Sequence, residues 1–540
     1  MDSEHLPTYR GSAAPPFTDA RSAKSWMQLL PLINAPVAHN ELTEALALLN
    51  ASSISPYESL KILELFREGV HMVQTSLTER FLGRAVPFGQ DEQNAWQQVV
   101  GMWALLRDAY ARCWRAALDG EAEALDHHAL AAERTLRYQC LVMREHLLAY
   151  KPVPPELWQA LYGYYTLADK AGVAEKPAKD SMLKVAGVAA PENVFVHTLL
   201  LAGASPYHFT ARQILWLDER LPAFAQRAPL EREARALPGR GSLQVDFAAP
   251  SAPRRIEPRL SGDTVREIDT YQLAQALSRR IKLLRNGENP EKLGLGEQFP
   301  SSAVESLLTD LYRTWCEQPT ERVHPRADGN RTIDVIFGLS RQHLAVGKGS
   351  FALPTDGPQE LAGDDLVRMQ LFGRTQTLQN SAAASAELAP SESWWLRNES
   401  PQGMQLSRKA TPGHRVALQQ LLAVSIANRY YVGTVRWLQQ EGDQVVIGVR
   451  LLPGQPHSAA VRPVDLVHAG RRGWTEGLAL PATPTLRSPA SLILPVGWFR
   501  PGRVVEWWDG ESTRKLRLES ALERGVDYER VHYVLAGHTR

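Results

Sequence analysis

Two guanidinium groups stand four residues apart in Arg322-Val-His-Pro-Arg326. A compact polar phrase, Asn398-Glu-Ser400-Pro-Gln-Gly403, follows Trp394-Trp395-Leu396 further along the chain. A guanidinium is a planar fork of donors that can hold a phosphate through two bonds at once and cover the face of a flat ring. Asn398 and Ser400, carried on a short polar turn, can read the edge of such a ring. Gly403 suits a place where the backbone turns sharply or must come close to a neighbour, because a β-carbon would clash there. The chemistry available to this set is capture of a nucleotide rather than making or breaking a bond.

No catalytic pattern competes with it. The chain has no HExxH, no GxSxG, no close pair of cysteines and no glycine-rich opening of a dinucleotide fold, so no catalytic residue, metal ligand or cofactor is assigned. Acid pairs such as Asp364-Asp365 read as turn or surface charge, and His127-His128, being adjacent, cannot face one ion. A further Arg-x-x-x-Arg, Arg255 to Arg259, sits in a proline-rich stretch with no strand after it and reads as chance spacing. Ala345-Val-Gly-Lys-Gly-Ser350 does not complete a phosphate-binding loop and reads as a hairpin turn.

The chain has 540 residues, enough for several cores, and 44% of them are hydrophobic. Its 60 basic and 59 acidic side chains leave a net charge of +1, which gives no global pull toward nucleic acid or an anionic membrane. No stretch approaches eighteen apolar residues, and the first residues do not read as a signal peptide. Cys113, Cys140 and Cys316 are far apart and fall on apolar helix faces, where a buried thiol is expected. A cytoplasmic setting fits these features.

The elements that must position the motifs change character along the chain. Residues 1–25 read as a flexible leader, and 26–235 as a large helical bundle. Within that bundle Ser55-Pro56 opens a helix with Leu60, Leu63, Phe66 and Val70 on one stripe. Trp96, Val100, Trp103, Leu106, Tyr110 and Trp114 mark another over 91–118. Aromatic residues at that spacing read as core. Residues 236–266, rich in Gly, Pro, Ser and Arg, read as a linker, and 267–318 as a helical connector. The period then becomes two. Ile333–Phe337, Ala417–Ile426, Tyr430–Leu438 and Val445–Leu452 read as strands, with turns at Asn428-Arg429 and Gly442-Asp443. Residues 319–470 therefore read as a small β-barrel with an insertion spanning about 352–391, and 471–540 as a further small β module. The fold class is multidomain α+β.

Taken together, Arg322 to Arg326 ahead of a strand, the later Asn398-x-Ser400-x-x-Gly403, and the phrases Val432–Trp437 and Ile447–Leu452 resemble a PilZ domain, over residues 319–455. That family is the bacterial receptor module for cyclic di-GMP. The resemblance implies that Arg322 and Arg326 clamp the phosphates and stack on guanine, and that Asn398 and Ser400 bond a base edge or phosphate over the turn permitted by Gly403. It departs from the usual pattern in spacing, since 71 residues separate Arg326 from Asn398. The expectation is a cyclic di-GMP effector, not an enzyme, that couples the second messenger to an unidentified cytoplasmic protein. No nucleic-acid partner is expected, and self-association is left open. The alternative is a ligand-independent interaction scaffold built on a degenerate PilZ-like barrel.

Overall fold

The computed structural model describes residues 6–7, 11–183, 187–232, 243–255, 260–317, 326–348, 351–353, 391–464 and 473–536. Arg322, residues 354–390 of the expected insertion, and residues 236–242 and 256–259 of the expected linker lie outside the described residues. The chain divides into two compact units, Met1–Arg84 with Phe88–Glu321, and Ala85–Pro87 with Arg322–Arg540.

The first unit is helical. Its helices are α1 (Ala20–Leu29), α2 (Ala35–Asn50), α3 (Pro56–Thr78), α4 (Gln90–Leu118), α5 (Ala122–Leu125), α6 (His128–Leu148), α7 (Pro155–Lys170), α8 (Pro191–Gly203), α9 (Ala211–Ala225), α10 (Tyr271–Arg285) and α11 (Ser301–Cys316). Helix α3 starts where its sequence dictates: Ser55 Oγ accepts from Glu58 N and Pro56 occupies the first turn. Its stripe of Leu60, Leu63, Phe66, Val70, Val73 and Leu77 is buried, as are Trp103, Leu106, Tyr110 and Trp114 of α4, so the aromatic stripe is core. Short strands β1 (Ala178–Lys179) and β2 (Val188–Ala189) pair with each other, and β3 (Leu230–Glu231), β5 (Val265–Ile268) and β4 (Leu243–Asp246) form a small sheet in that order. The stretch expected as linker thus contributes β4 and the start of β5, and Leu243, Val245 and Ile268 of these strands enter the helical core. Helices α10 and α11 also belong to this core. Their Leu277, Leu308 and Trp315 are buried, and Trp315 Nε1 donates to Leu200 O at 3.1 Å.

A charged knot lies inside this unit. Arg134 Nε donates to Glu64 at 2.9 Å, Arg134 Nη1 to Glu133 at 2.5 Å, Arg137 Nη2 to Glu133 at 2.8 Å and Arg67 Nη2 to Asp180 at 2.8 Å. Tyr110 donates to Glu64 at 2.7 Å. Burial alone would raise the carboxyl pKa of Glu64 and Asp180, but the facing guanidiniums outweigh it and hold both below the usual range.

The second unit is β-rich. Strands β6 (Ala327–Phe337), β7 (Glu392–Ser400), β8 (Gly403–Lys409), β9 (Leu421–Ile426), β10 (Arg429–Glu441) and β11 (Gln444–Leu451) close a barrel in the order β6-β7-β8-β11-β10-β9. After β6 comes a short helix, α12 (Leu339–Val346). The phrase expected as a hairpin turn at 345–350 begins at the end of that helix instead. Strands β12 (His457–Pro463), β13 (Thr475–Leu480), β14 (Ser491–Leu494), β15 (Val504–Trp508), β16 (Thr513–Arg524) and β17 (Glu529–Leu535) close a second barrel, β12-β13-β14-β17-β16-β15. All pairings in both are antiparallel. Counted from its own first strand, each barrel has the same order, 1-2-3-6-5-4. The second begins at His457 rather than at 471, because Ser458–Val461 pair with β13 and not with the first barrel.

The barrels share a core. Ile336, Leu421, Ala423, Val432 and Leu452 of the first pack with Leu478, Leu480, Ile493 and Tyr528 of the second. Leu421 N donates to Asp527 Oδ1 at 3.0 Å, and Arg450 pairs with Glu523 at 2.6 Å. Buried His343 of α12 ties in as well: its Nδ1 lies 2.9 Å from Gly477 O, and Ser458 Oγ donates to its carbonyl at 2.6 Å.

Candidate functional site

Strand alternation sorts the first barrel into inner and outer side chains. Trp394, Leu396, Met404, Leu406, Ile447, Val449, Val435 and Leu438 are buried and fill the interior. Their alternates face outward, and residues directly opposite on neighbouring strands share a face.

Two cross-strand rows of outward residues result. In the first, Asp328 opposes Asn398, Asn398 opposes Gln405, Gln405 opposes Gly448, and Gly448 opposes Trp437. In the second, Ser400 opposes Gly403, Gly403 opposes Arg450, and Arg450 opposes Thr434. On β6, Ala327 opposes Glu399 and Asp328 opposes Asn398. Carrying that register one residue further sets exposed Arg326 across from Ser400. The fold therefore brings Arg326, Asn398, Ser400 and Gly403, separated by 71 intervening residues in the sequence, to one end of one outer face.

The hairpin between β7 and β8 turns through Pro401-Gln402. Ser400 Oγ donates to Gly403 O at 3.2 Å, and Gln402 O accepts from Leu451 N at 2.9 Å, which fixes the turn against β11. A β-carbon on Gly403 would lie 2.3 Å from Val449 O. The glycine is needed for close approach of two strands and not for a left-handed backbone.

Asn398 Nδ2 donates to Gln405 Oε1 at 2.6 Å, while Asn398 Oδ1 is buried with no hydrogen-bond partner among the described residues. A buried acceptor of this kind is costly unless something donates to it. The ladders slip on both sides of Asn398, between Asp328 and Arg331 on β6 and between Leu396 and Asn398 on β7. The slip makes Arg397 the extra residue; its Nε donates to Ser407 Oγ at 3.0 Å, and Nη1 pairs with Glu441 at 3.2 Å. Such bulges re-aim side chains and are common beside sites. A third, at Arg436, turns Trp437 onto the outer face.

Sequence reasoning proposed Arg322, Arg326, Asn398, Ser400 and Gly403, of which Arg322 lies outside the described residues, and did not name their cross-strand neighbours Gln405, Gly448, Arg450 and Trp437. Those four depend on register. One of their pairings was readable: a two-residue turn at Gly442-Asp443 sets Trp437 against Gly448 by counting back along the hairpin.

The outer face of the second barrel is used differently. Its pair β14 and β17, which stands where β8 and β11 stand in the first, turns Ile493 into the shared apolar core. On the same face Arg530, 7% exposed, donates to Ser491 Oγ at 2.9 Å and Ser488 Oγ at 2.7 Å. In the helical unit, Cys140, His197 and Asp218 cluster with metal-ligand atoms. Asp218 is already committed there to His197 Nε2 at 2.7 Å and Arg144 Nη1 at 2.9 Å. Among the described residues no helix is long and apolar enough to cross a membrane.

Comparison with known proteins bears on both ends of the chain. Residues 21–235 match the family model described as the N-terminal domain of the cyclic-di-GMP receptor FimW, and residues 459–536 match the FimW C-terminal β-barrel domain. The chain resembles FimW at both ends. It is 26% identical over 337 residues to the cyclic-di-GMP receptor FimW of Pseudomonas aeruginosa, covering 61% of this chain and 53% of the relative. The chain thus spans about half the length of the curated relative it matches. The FimW-like match at the C-terminal end begins at 459, within β12, in keeping with a second barrel that starts at His457. These two family matches leave 236–458 uncovered, the region that contains the first barrel and its two rows.

Proposed function

We propose that this protein is a receptor for cyclic di-GMP and that its first barrel is the PilZ-type ligand-binding module. Arg322 and Arg326 grip the phosphates, Asn398 and Ser400 bond the base edge or a phosphate, and Gly403 keeps the floor of the site low. The observation that supports this reading is the register that sets Asp328 across from Asn398 and Ser400 across from Gly403, with Arg326 two residues before Asp328. A dianionic ligand laid beside that row meets the exposed guanidinium of Arg326, while Arg450 further along is already paired with Glu523. Likeness to FimW, a receptor for this same messenger, supports the choice of ligand. The protein acts as a binding effector and not as a catalyst, and it passes the signal to a protein partner from a cytoplasmic location.

Titration calorimetry of cyclic di-GMP on the full chain tests the proposal, with wild type compared against Arg322→Ala, Arg326→Ala and Ser400→Ala. Loss of a charge-assisted bond costs about 1.5–3 kcal/mol, so each arginine variant should bind about tenfold or more weakly with its thermal transition unmoved. A folded wild-type protein that takes up no ligand would leave the ligand-independent scaffold as the better account. Binding undiminished in all three variants would move the site elsewhere.

A further inference from the structure

We infer that the groove between α10 and α11 of the helical unit is a docking site for an acidic segment of a protein partner, with Arg279 and Lys282 receiving its carboxylates. The inference rests on the effector reading above for the existence of a partner, and it uses no residue of the nucleotide site. The groove is a cavity of about 530 Å³ walled by Gln275, Ser278, Arg279 and Lys282, with Leu283 and with Tyr312 of α11. Gln275, Ser278, Arg279 and Lys282 stand at spacings of three and four, so they share one face over about 10 Å of helix. The opposite face of α10 is anchored, since Leu273, Leu277, Ile281 and Leu284 are buried. The groove is therefore a fixed surface of the unit.

Its charge is unbalanced. From Tyr271 to Arg285 the helix carries four cations, Arg279, Arg280, Lys282 and Arg285, and no carboxylate. The acids of α11 are committed elsewhere, Glu305 to Arg285 at 2.9 Å and Asp310 to Arg313 at 3.9 Å. Arg279 and Lys282 are exposed and have no hydrogen-bond or ion-pair partner among the described residues. Burial, then the fields of Arg227 and Arg279, lower the pKa of the neighbouring Arg280, the direction expected where cations crowd without a counter-ion. A ligand that brings negative charge relieves that repulsion. The donors are all side chains: no helix N-terminus and no glycine is among the lining residues, and the cations stand in the C-terminal half of α10, where the helix dipole is negative. A compact phosphate is poorly matched to that setting, whereas carboxylates spaced along a chain can each reach one cation. Leu283 and Tyr312 offer apolar contact to a neighbouring side chain of the segment, and Gln275 and Ser278 can bond its main chain.

The test is fluorescence anisotropy on the full chain at low salt, with a short labelled peptide of glutamates flanking one leucine as the probe. Wild type should bind it. Reversal of both cations, Arg279→Glu with Lys282→Glu, should weaken binding more than about tenfold with the thermal transition unmoved. Reversal of two exposed cations on α1, Arg21→Glu with Lys24→Glu, should change it less than about twofold. Equal weakening by the two double variants would mean attraction by overall charge, and no binding to folded wild type would mean no docking site; either result overturns the inference. Inorganic phosphate should displace no more peptide than chloride of equal ionic strength, and selective displacement would make the groove an anion site and overturn the acidic-segment assignment. Calorimetry of cyclic di-GMP on the same wild-type sample keeps the two readings apart. Nucleotide bound without peptide removes the docking site alone, and peptide bound without nucleotide removes the receptor reading alone.

Discussion

Replacing Glu133 by Gln removes one negative charge from the closed knot inside the helical unit while keeping nearly the same shape. Glu133 is 0% exposed and accepts three charge-assisted bonds, from Arg134 Nη1 at 2.5 Å and from Arg137 Nη2 at 2.8 Å and Nε at 3.1 Å. The knot holds three guanidiniums, of Arg67, Arg134 and Arg137, against three carboxylates, of Glu64, Glu133 and Asp180. Taking one carboxylate away leaves a net charge of one in a cluster whose Arg67, Arg134 and Arg137 are largely buried. Breaking a buried pair from one side costs about 3–5 kcal/mol, most of it the penalty on the cations left behind. In a unit of this size that corresponds to a fall in Tm of about 4–8 °C. The control is Glu305→Gln, which removes the same group from a pair with Arg285 whose side chains are 60% and 28% exposed, where about 0–1 kcal/mol is expected. Scanning calorimetry of the full chain compares the two. Equal, small shifts would refute the argument that charge balance holds the knot together.

Other expectations follow from named atoms. Gly403→Ala forces β8 and β11 apart at the site, because its β-carbon would meet Val449 O at 2.3 Å; affinity for cyclic di-GMP should fall more than about tenfold in calorimetry, and wild-type binding would contradict the placement of the turn. Burial pushes His71 down to about 3 and His146 down to about 4, so both stay neutral in the fold while the unfolded chain takes up protons below about pH 6.5. Their stabilisation is complete above that pH and is lost as pH falls toward 4, by at most about 1.4 kcal/mol per pH unit for each, so Tm should be lower at pH 5 than at pH 7. A double His71→Phe, His146→Phe variant should show a flatter profile, and an unchanged slope would count against the assignment. Burial also pushes Cys113 and Cys140 up to about 12, so at pH 8 neither thiol of the native protein should react with a disulfide reagent within minutes, whereas denaturant should release both. Rapid native labelling of either would contradict its burial.

The helices were legible because their apolar spacing is long and regular: the stripe from Trp96 to Trp114 predicts 91–118, and α4 runs Gln90–Leu118. The Gly442-Asp443 turn was legible for the same reason that it fixes register, a glycine at positive φ between two alternating runs. The turn expected at Asn428-Arg429 lies one residue earlier, since Ala427 and Asn428 take the left-handed backbone and Arg429 already belongs to β10. What sequence could not supply was pairing between distant strands. Nothing local to Gln405 or Arg450 says that they neighbour Asn398 and Gly403; that follows from closure of the barrel. The bulges at Arg397 and Arg436 each shift alternation by one, so counting in twos along β7 or β10 assigns the outer face wrongly beyond them. Likewise β4 and β5 were hidden in a stretch whose glycines and prolines outweigh its few alternating residues.

The apolar seam between the barrels sets a limit on how the first barrel can be handled in isolation. A truncation ending at Leu452 would leave Ile336, Leu421, Ala423 and Val432 facing water on the outside of the first barrel, and Leu421 N and Arg450 without Asp527 and Glu523. Such an exposed strand face is adhesive. A biosensor or a crystallisation fragment cut from this protein therefore has to carry both barrels, with the second serving as the built-in lid that keeps the first soluble.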